Sequence, residues 1–321
     1  MQFQAVSLML NLLRPRTRVR GTDQEQTMPA RPSQPARPTG DTGSHPPPAS
    51  IAPRPQFVTV ASGKGGVGKS TLATLIADLW TLAGRPYRPF QVDDQRRLGA
   101  MLGARVATIV PDYEAAMRAP RALTGPFAPL YDACAEAPRT EACVLLDVGA
   151  NRVELTALWA RKAELQEDLA AWGMSAVVLV PAPIESEALR QAAATIRAFA
   201  QALPQASIVF VENQRDGRLS ELKPRSDAAL VWRSELAPLL DGPGRHHRVM
   251  PLIEADAWSA YENHALRFIK AMSLAPIEAA ALLGEEVSEA KIMRSAVTAF
   301  VRTMRAELAP LLPGIVAPGE A

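Results

Sequence analysis

The chain is short of cysteine, aromatic residues, net charge and long apolar runs, and each shortage excludes something. Among 321 residues only Cys134 and Cys143 are cysteines, and their spacing is not CxxC. The four histidines are scattered apart from the His246-His247 pair. A disulfide framework and a structural zinc site are therefore not expected, and a reducing compartment, the cytoplasm, is. Cys143 lies in an apolar run and reads as a packing residue; Cys134 reads as an ordinary helix residue. Aromatics make up 5% of the chain while Ala and Leu abound, which favours helices over an all-β architecture. No apolar run reaches the ~18 residues of a membrane-spanning helix.

The net charge is only +2 and is unevenly spread. Residues 1–56 hold seven Arg and three acids, and the remainder carries 28 basic and 30 acidic residues. A body this close to neutral is not a strong electrostatic DNA binder. Arg215, Arg218, Lys223 and Arg225 cluster in a loop that could track phosphates, but with a near-neutral body a solvated loop is the favoured reading. DNA binding is thus open and unsupported by net charge.

The first 13 residues, MQFQAVSLMLNLL, are apolar, and arginines follow at 14, 16, 18 and 20. A secretory signal has the opposite order. A membrane-surface helix fits the pattern, but the plainer expectation is a disordered extension upstream of a start at Met28, with no membrane contact. Residues 29–56 contain nine of the 28 prolines and cannot bury enough apolar surface to offset their ordering entropy. The expected organisation is a disordered Pro/Arg-rich extension over 1–55, one folded domain over 56–312, and a flexible tail over 313–321.

From residue 56 onward, short β-branched runs alternate with helical ones. QFVTVAS (56–62), RPFQVD (88–93), ACVLLDV (142–148), MSAVVLVPA (174–182), ASIVFVEN (206–213) and HRVMPLI (247–253) read as strands. Residues 69–83, 152–172 and 184–203 read as helices between them. Residues 287–309 read as a terminal helix with Ile292, Val297, Phe300, Val301, Met304 and Leu308 on its apolar face. Alternation of this kind predicts an α/β fold: a mostly parallel twisted sheet flanked by helices.

The segment Gly63-Lys64-Gly65-Gly66-Val67-Gly68-Lys69-Ser70-Thr71 satisfies G-x-x-x-x-G-K-[ST] and lies between a predicted strand and a predicted helix. Glycines let the backbone curl with its N–H groups pointing inward around an anion, and the helix N-terminus adds partial positive charge. Lys69 is expected to reach the β- and γ-phosphates, Ser70 to ligate Mg²⁺, and Thr71 to sit near the α-phosphate. Asp93, Asp94 and Asp147 end predicted strands, the crevice in which ligands of parallel sheets sit. Asp147 is a candidate for holding Mg²⁺ through water.

Lys64, directly after the first glycine, makes the string KGGVGKS. This resembles the deviant P-loop of the MinD/ParA superfamily of ATPases. The resemblance implies that ATP and Mg²⁺ are the cofactors and that Lys64 contacts phosphate in a partner subunit across an ATP-dependent homodimer. It implies that the second Asp of the switch, here Asp94 before Gln95, orients the attacking water, while Asp93 aids Mg²⁺ or braces the loop. The family pattern there is D-x-D with a following proline; this chain has adjacent aspartates and none. By the same resemblance the Gly149 N–H meets the γ-phosphate, Asn213 reads the adenine edge and Pro251 packs near the base. Asn213 also suits a plain strand-ending turn. DVGA (147–150), the strand ending at Asn213, and VMPLIEADAWSAYENHA are similar to the TraL/StbB-like group of plasmid transfer and maintenance ATPases. A slow ATPase acting as a dimer switch, with a protein activator or cargo, is therefore expected. A non-hydrolysing ATP-binding adaptor and a small-molecule kinase or ligase on the same loop are the alternatives.

Overall fold

The computed structural model describes residues 54–93, 95–254 and 256–316. The expectations for the N-terminal extension, for Asp94 and for residues 317–321 fall outside them.

Seven strands form a single parallel sheet: β1 (Gln56–Ala61), β2 (Tyr87–Val92), β3 (Ala107–Thr108), β4 (Cys143–Val148), β5 (Ser175–Ala182), β6 (Ser207–Asn213) and β7 (Arg245–Met250). Their order is β3-β2-β4-β1-β5-β6-β7. The chain leaves β1 toward one edge, returns to β4, then crosses to β5 on the other side. The ends of β4 and β5 thus flank the end of β1, the reversal point at which parallel sheets open a crevice.

The helices follow in chain order. They are α1 (Lys69–Leu82), α2 (Arg97–Leu102), α3 (Tyr113–Arg118), α4 (Pro120–Thr124), α5 (Ala128–Thr140), α6 (Val153–Lys162), α7 (Leu165–Ala171), α8 (Ser186–Ala202), α9 (Asp227–Val231), α10 (Ala257–Asn263), α11 (Phe268–Ser273), α12 (Pro276–Leu283) and α13 (Val287–Leu308).

Successive strand residues face opposite sides, so each strand feeds two cores. Phe57, Val144, Leu146, Val178 and Phe210 pack with α5 to α8 on one face. Val58, Val60, Leu145, Val177 and Val209 pack with α1 and the C-terminal helices on the other. The two cysteines fall on opposite sides: Cys134 in the first core, Cys143 in the second, both free. No helix among the described residues is long and apolar enough to cross a membrane.

Several expectations need correction. The stretch 152–172 is two helices, because the chain turns at Ala163-Glu164 with Glu164 left-handed at φ 51°. That turn lets Trp159 on α6 and Leu165 and Leu169 on α7 share one core. Strand β7 runs Arg245–Met250 rather than 247–253, since Met250 is the last partner of β6, opposite Asn213, and Pro251 has no N–H to donate. Ile292 does not join the buried face of α13: it is 58% exposed, while Met293, Val297, Phe300, Val301, Met304 and Leu308 are buried. The packed body also passes 312. Pro313–Ile315 form a turn, with Ile315 at 1% exposure in the second core.

Candidate functional site

The loop after β1 turns into α1 through Gly68, at φ 91°. The left-handed conformation favours glycine, and a Cβ there would lie 2.9 Å from Met250 Cε and 3.0 Å from Asn213 Nδ2, so both side chains would have to give way. The loop borders a cavity of about 540 Å³. Gly65, Gly66, Val67, Gly68, Lys69, Ser70 and Thr71 line it from below, with Asp93, Asp147 and Gly149 on one side and Asn213 and Pro251 on the other.

Alternation explains this gathering. Asp147 follows Cys143 and Leu145 on the α1 face of β4, and Asn213 follows Val209 and Val211 on the same face of β6. Gln91 and Asp93 alternate with Phe90 and Val92, which face the other core. Three strands therefore aim polar ends at one loop.

Ser70 at the start of α1 donates its hydroxyl to Asp147 Oδ2 at 2.8 Å. Asp147 is 1% exposed, and its Oδ1 is buried without a hydrogen-bond partner. Burial pushes its carboxyl up to about 6, against the Ser70 hydrogen bond and the Lys69 charge, which pull it down. Lys69 folds back so that its Nζ donates to the Lys64 carbonyl at 2.8 Å. Desolvation lowers the Lys69 ammonium, while Asp147 and Asp93 oppose that shift. A buried ammonium beside two carboxylates, at the foot of a glycine loop, is chemistry that can pair with an anion.

Lys64 and Gly63 do not line the cavity. The Gly63 N–H donates to Thr195 Oγ1 at 3.0 Å. The Lys64 side chain reaches Glu185, 3.5 Å away, at the N-terminus of α8. It therefore points away from its own loop's cavity.

Gly149 lines the cavity, but its N–H donates to the Val92 carbonyl at 2.8 Å, extending the β2–β4 ladder. Asn213 Nδ2 donates to the Val67 carbonyl at 3.1 Å, and its Oδ1 accepts from Arg215 N at 3.1 Å. Its amide thus ties strand end to loop while bordering the cavity.

Sequence reasoning missed part of the wall. Arg97 on α2, Arg152 before α6, and Trp258, Glu262 and Phe300 from the C-terminal helices all line the cavity. No motif marks them; only packing brings them there. Trp258 stacks on Phe268 with centroids 3.7 Å apart, which fixes that wall to α11. Arg215, read as a possible nucleic-acid contact, instead donates to the Gly66 carbonyl at 2.8 Å and pairs with Asp216 at 2.9 Å. Arg218 pairs with Glu221. Much of that loop's charge is met by its own neighbours.

The family profile described as CbiA, the CobQ/CobB/MinD/ParA nucleotide binding domain, matches residues 58–229. No curated protein sequence matches the chain. Among solved structures, it is similar to an ATP complex of a point variant of McdA from Cyanothece, at 15% identity and a TM-score of 0.38. That match covers 76% of this chain and 95% of the other. It is also similar to the MinC:MinD cell division protein complex of Aquifex aeolicus, at 15% identity and a TM-score of 0.36, covering 75% of this chain and 93% of that one.

Proposed function

The chain belongs to the family of CobQ/CobB/MinD/ParA nucleotide-binding domains, and from that premise we propose that it is an ATP-binding, ATP-hydrolysing dimer switch. The observation that carries this reading is the Ser70–Asp147 pair beneath the glycine loop, with one buried carboxylate oxygen unpartnered. That oxygen is the fit test for Mg²⁺, because a buried acceptor with no donor is costly unless a cation or its water meets it. Ser70 and Asp147 would hold the ion, with Asp93 beside them. When bound, Mg²⁺ neutralises charge on the phosphates. Lys69 exchanges the Lys64 carbonyl for phosphate oxygens, and the amides of Gly65 to Gly68 hold the remainder. Asn213 and Pro251 border the base. Asp94 orients the water, and Asp93 braces the loop.

Lys64 acts on the partner. Its side chain already leaves its own cavity for Glu185, so a phosphate in a facing subunit is a better electrostatic partner than an exposed carboxylate. ATP occupancy and dimerisation are then linked by mass action. The process served is plasmid transfer, partition or intracellular positioning, on the resemblance of DVGA (147–150) and the segment after β7 to the TraL/StbB-like group.

One observation favours a second reading. The Gly149 N–H is held by Val92, and the adjacent aspartates at 93 and 94 depart from the family's switch, which suits an adaptor that binds ATP without turning it over. Calorimetric titration of the full chain with ATP, ADP and GTP in Mg²⁺, with phosphate release measured alongside, tests both. ATP affinity with turnover supports the switch, and ATP-dependent dimerisation without turnover supports the adaptor. No affinity for any triphosphate would overturn the whole reading.

A further inference from the structure

Arg97 is an exposed arginine in the wall of the nucleotide cavity, and its guanidinium has no hydrogen-bond or ion-pair partner among the described residues. Its position is enforced by what surrounds it. Gln91, 1% exposed on β2, accepts the Gly99 N–H on its Oε1 at 3.0 Å and donates its Nε2 to Thr108 Oγ1 at 2.8 Å. A Cβ on Gly99 would lie 2.9 Å from Gln91 Nε2, so a larger residue there would push Gln91 off its bonds to Gly99 and Thr108. Leu98 and Leu102 bury the other side of α2 in the core that contains α1. Arg96, at the entrance to α2, is left-handed at φ 50°, a conformation that residues with a side chain adopt only under constraint from their surroundings. A buried glutamine, a glycine contact, two leucines and a strained residue thus hold one unpaired cation at the cavity.

The sheet order says which end of the cavity it occupies. Asn213 ends β6 and Pro251 directly follows its neighbour β7, on one side of β1. Asp147 lies on β4 and Asp93 directly follows β2, on the other side. From β6 to β2 is four strand spacings, roughly 19 Å. Helix α2 follows β2, so Arg97 stands at the metal end, and its charge acts on both Lys69 and Asp147. Glu262 on α10 lines the same cavity and feels the Arg97 charge, without forming an ion pair.

We propose that Arg97 recognises the terminal phosphate of a nucleoside triphosphate, so that α2 distinguishes triphosphate from diphosphate. This rests on the nucleotide-site reading above. Helix α2 fixes where Arg97 leaves the wall, and a guanidinium without a competing partner makes strong, planar charge-assisted bonds to phosphate oxygens. The extra positive charge also balances a triphosphate better than a diphosphate.

The test is isothermal titration of the full chain with ADP and with a non-hydrolysable ATP analogue, both with Mg²⁺, for wild type, R97A and R97K. The proposal expects R97A to weaken the triphosphate analogue at least tenfold and ADP by less than twofold, with R97K intermediate. Thermal melting of the unliganded variants should match wild type, because the side chain is exposed. Equal losses for both nucleotides, or no loss for either, would overturn the role of Arg97 while leaving the nucleotide site standing. If R97A does not fold, R97K decides by the same ratio. Failure of the wild type to bind either nucleotide would overturn both readings together.

Discussion

Ser70 and Asp147, 77 residues apart in sequence, are joined by a 2.8 Å hydrogen bond that leaves the second Asp147 oxygen buried and alone. An acid whose folded pKa is raised to about 6 holds its proton better folded than unfolded. Its stability contribution is therefore full below about pH 4, falls between about 4 and 6, and is a constant penalty above. A carboxyl carried from about 4 to about 6 corresponds to about 3 kcal/mol at most. Asp147→Asn should raise the melting temperature of the unliganded protein more at about pH 7.5 than at about pH 5. The gain is reduced because Lys69 loses a counter-charge. The same variant should lose Mg²⁺-dependent nucleotide binding, and wild-type affinity for Mg²⁺-nucleotide should decline as pH drops below about 6. A variant that melts no higher and still binds with metal would contradict this account.

Lys64 should be separable from folding. Its pair with Glu185 is 3.5 Å long with both side chains more than a third exposed, and such pairs contribute about 0–1 kcal/mol. Lys64→Ala should leave the melting temperature nearly unchanged and abolish the ATP-dependent dimer seen by sedimentation. Unchanged dimerisation would remove the lysine from the subunit contact.

Asp78, fully buried on α1, joins the C-terminal helices to the loop helix. Arg267 Nε donates to its Oδ1 at 2.7 Å, and Ile269 N at the start of α11 donates to its Oδ2 at 3.1 Å. Burial drives its carboxyl up to about 6 even with Arg267 beside it. Arg267→Ala should destabilise the fold by about 3–5 kcal/mol in urea titration, because the carboxylate is left buried and unpaired. The double variant with Asp78→Asn should recover part of that loss. Additive losses would mean the two groups do not interact.

Gly68→Ala should eliminate nucleotide binding with only a modest loss of stability. The left-handed backbone costs roughly 1 kcal/mol for a residue with a Cβ, and the new atom meets Met250 and Asn213 at about 3 Å. The Met250 methyl can swing aside, but relief of the other contact shifts Asn213 against its bond to the Val67 carbonyl or moves the loop. Calorimetric titration showing wild-type affinity would overturn the argument.

How much of the site was legible depended on whether neighbours in sequence are neighbours in space. The loop 63–71 and the strand ends at Asp93, Asp147 and Asn213 could be read because a phosphate cradle needs consecutive residues and strand periodicity is local. The turn at Glu164 could not, since Ala163-Glu164 carries no Gly or Pro and the break serves the joint burial of Trp159 and Leu169. Nor could the exposure of Ile292, because its neighbour Met293 is equally apolar and only the docking surface selects between them.

Local chemistry alone determined the parallel α/β class, the glycine loop and the strand ends at Asp93, Asp147 and Asn213, because backbone preference and side-chain alternation act over a few residues. The tertiary structure decided that Lys64 turns outward to Glu185, that the Gly149 N–H belongs to Val92, and that Arg97 and the C-terminal helices close the cavity. Those outcomes depend on contacts between segments tens to hundreds of residues apart, where competing partners for the same donor or the same apolar face are chosen by packing.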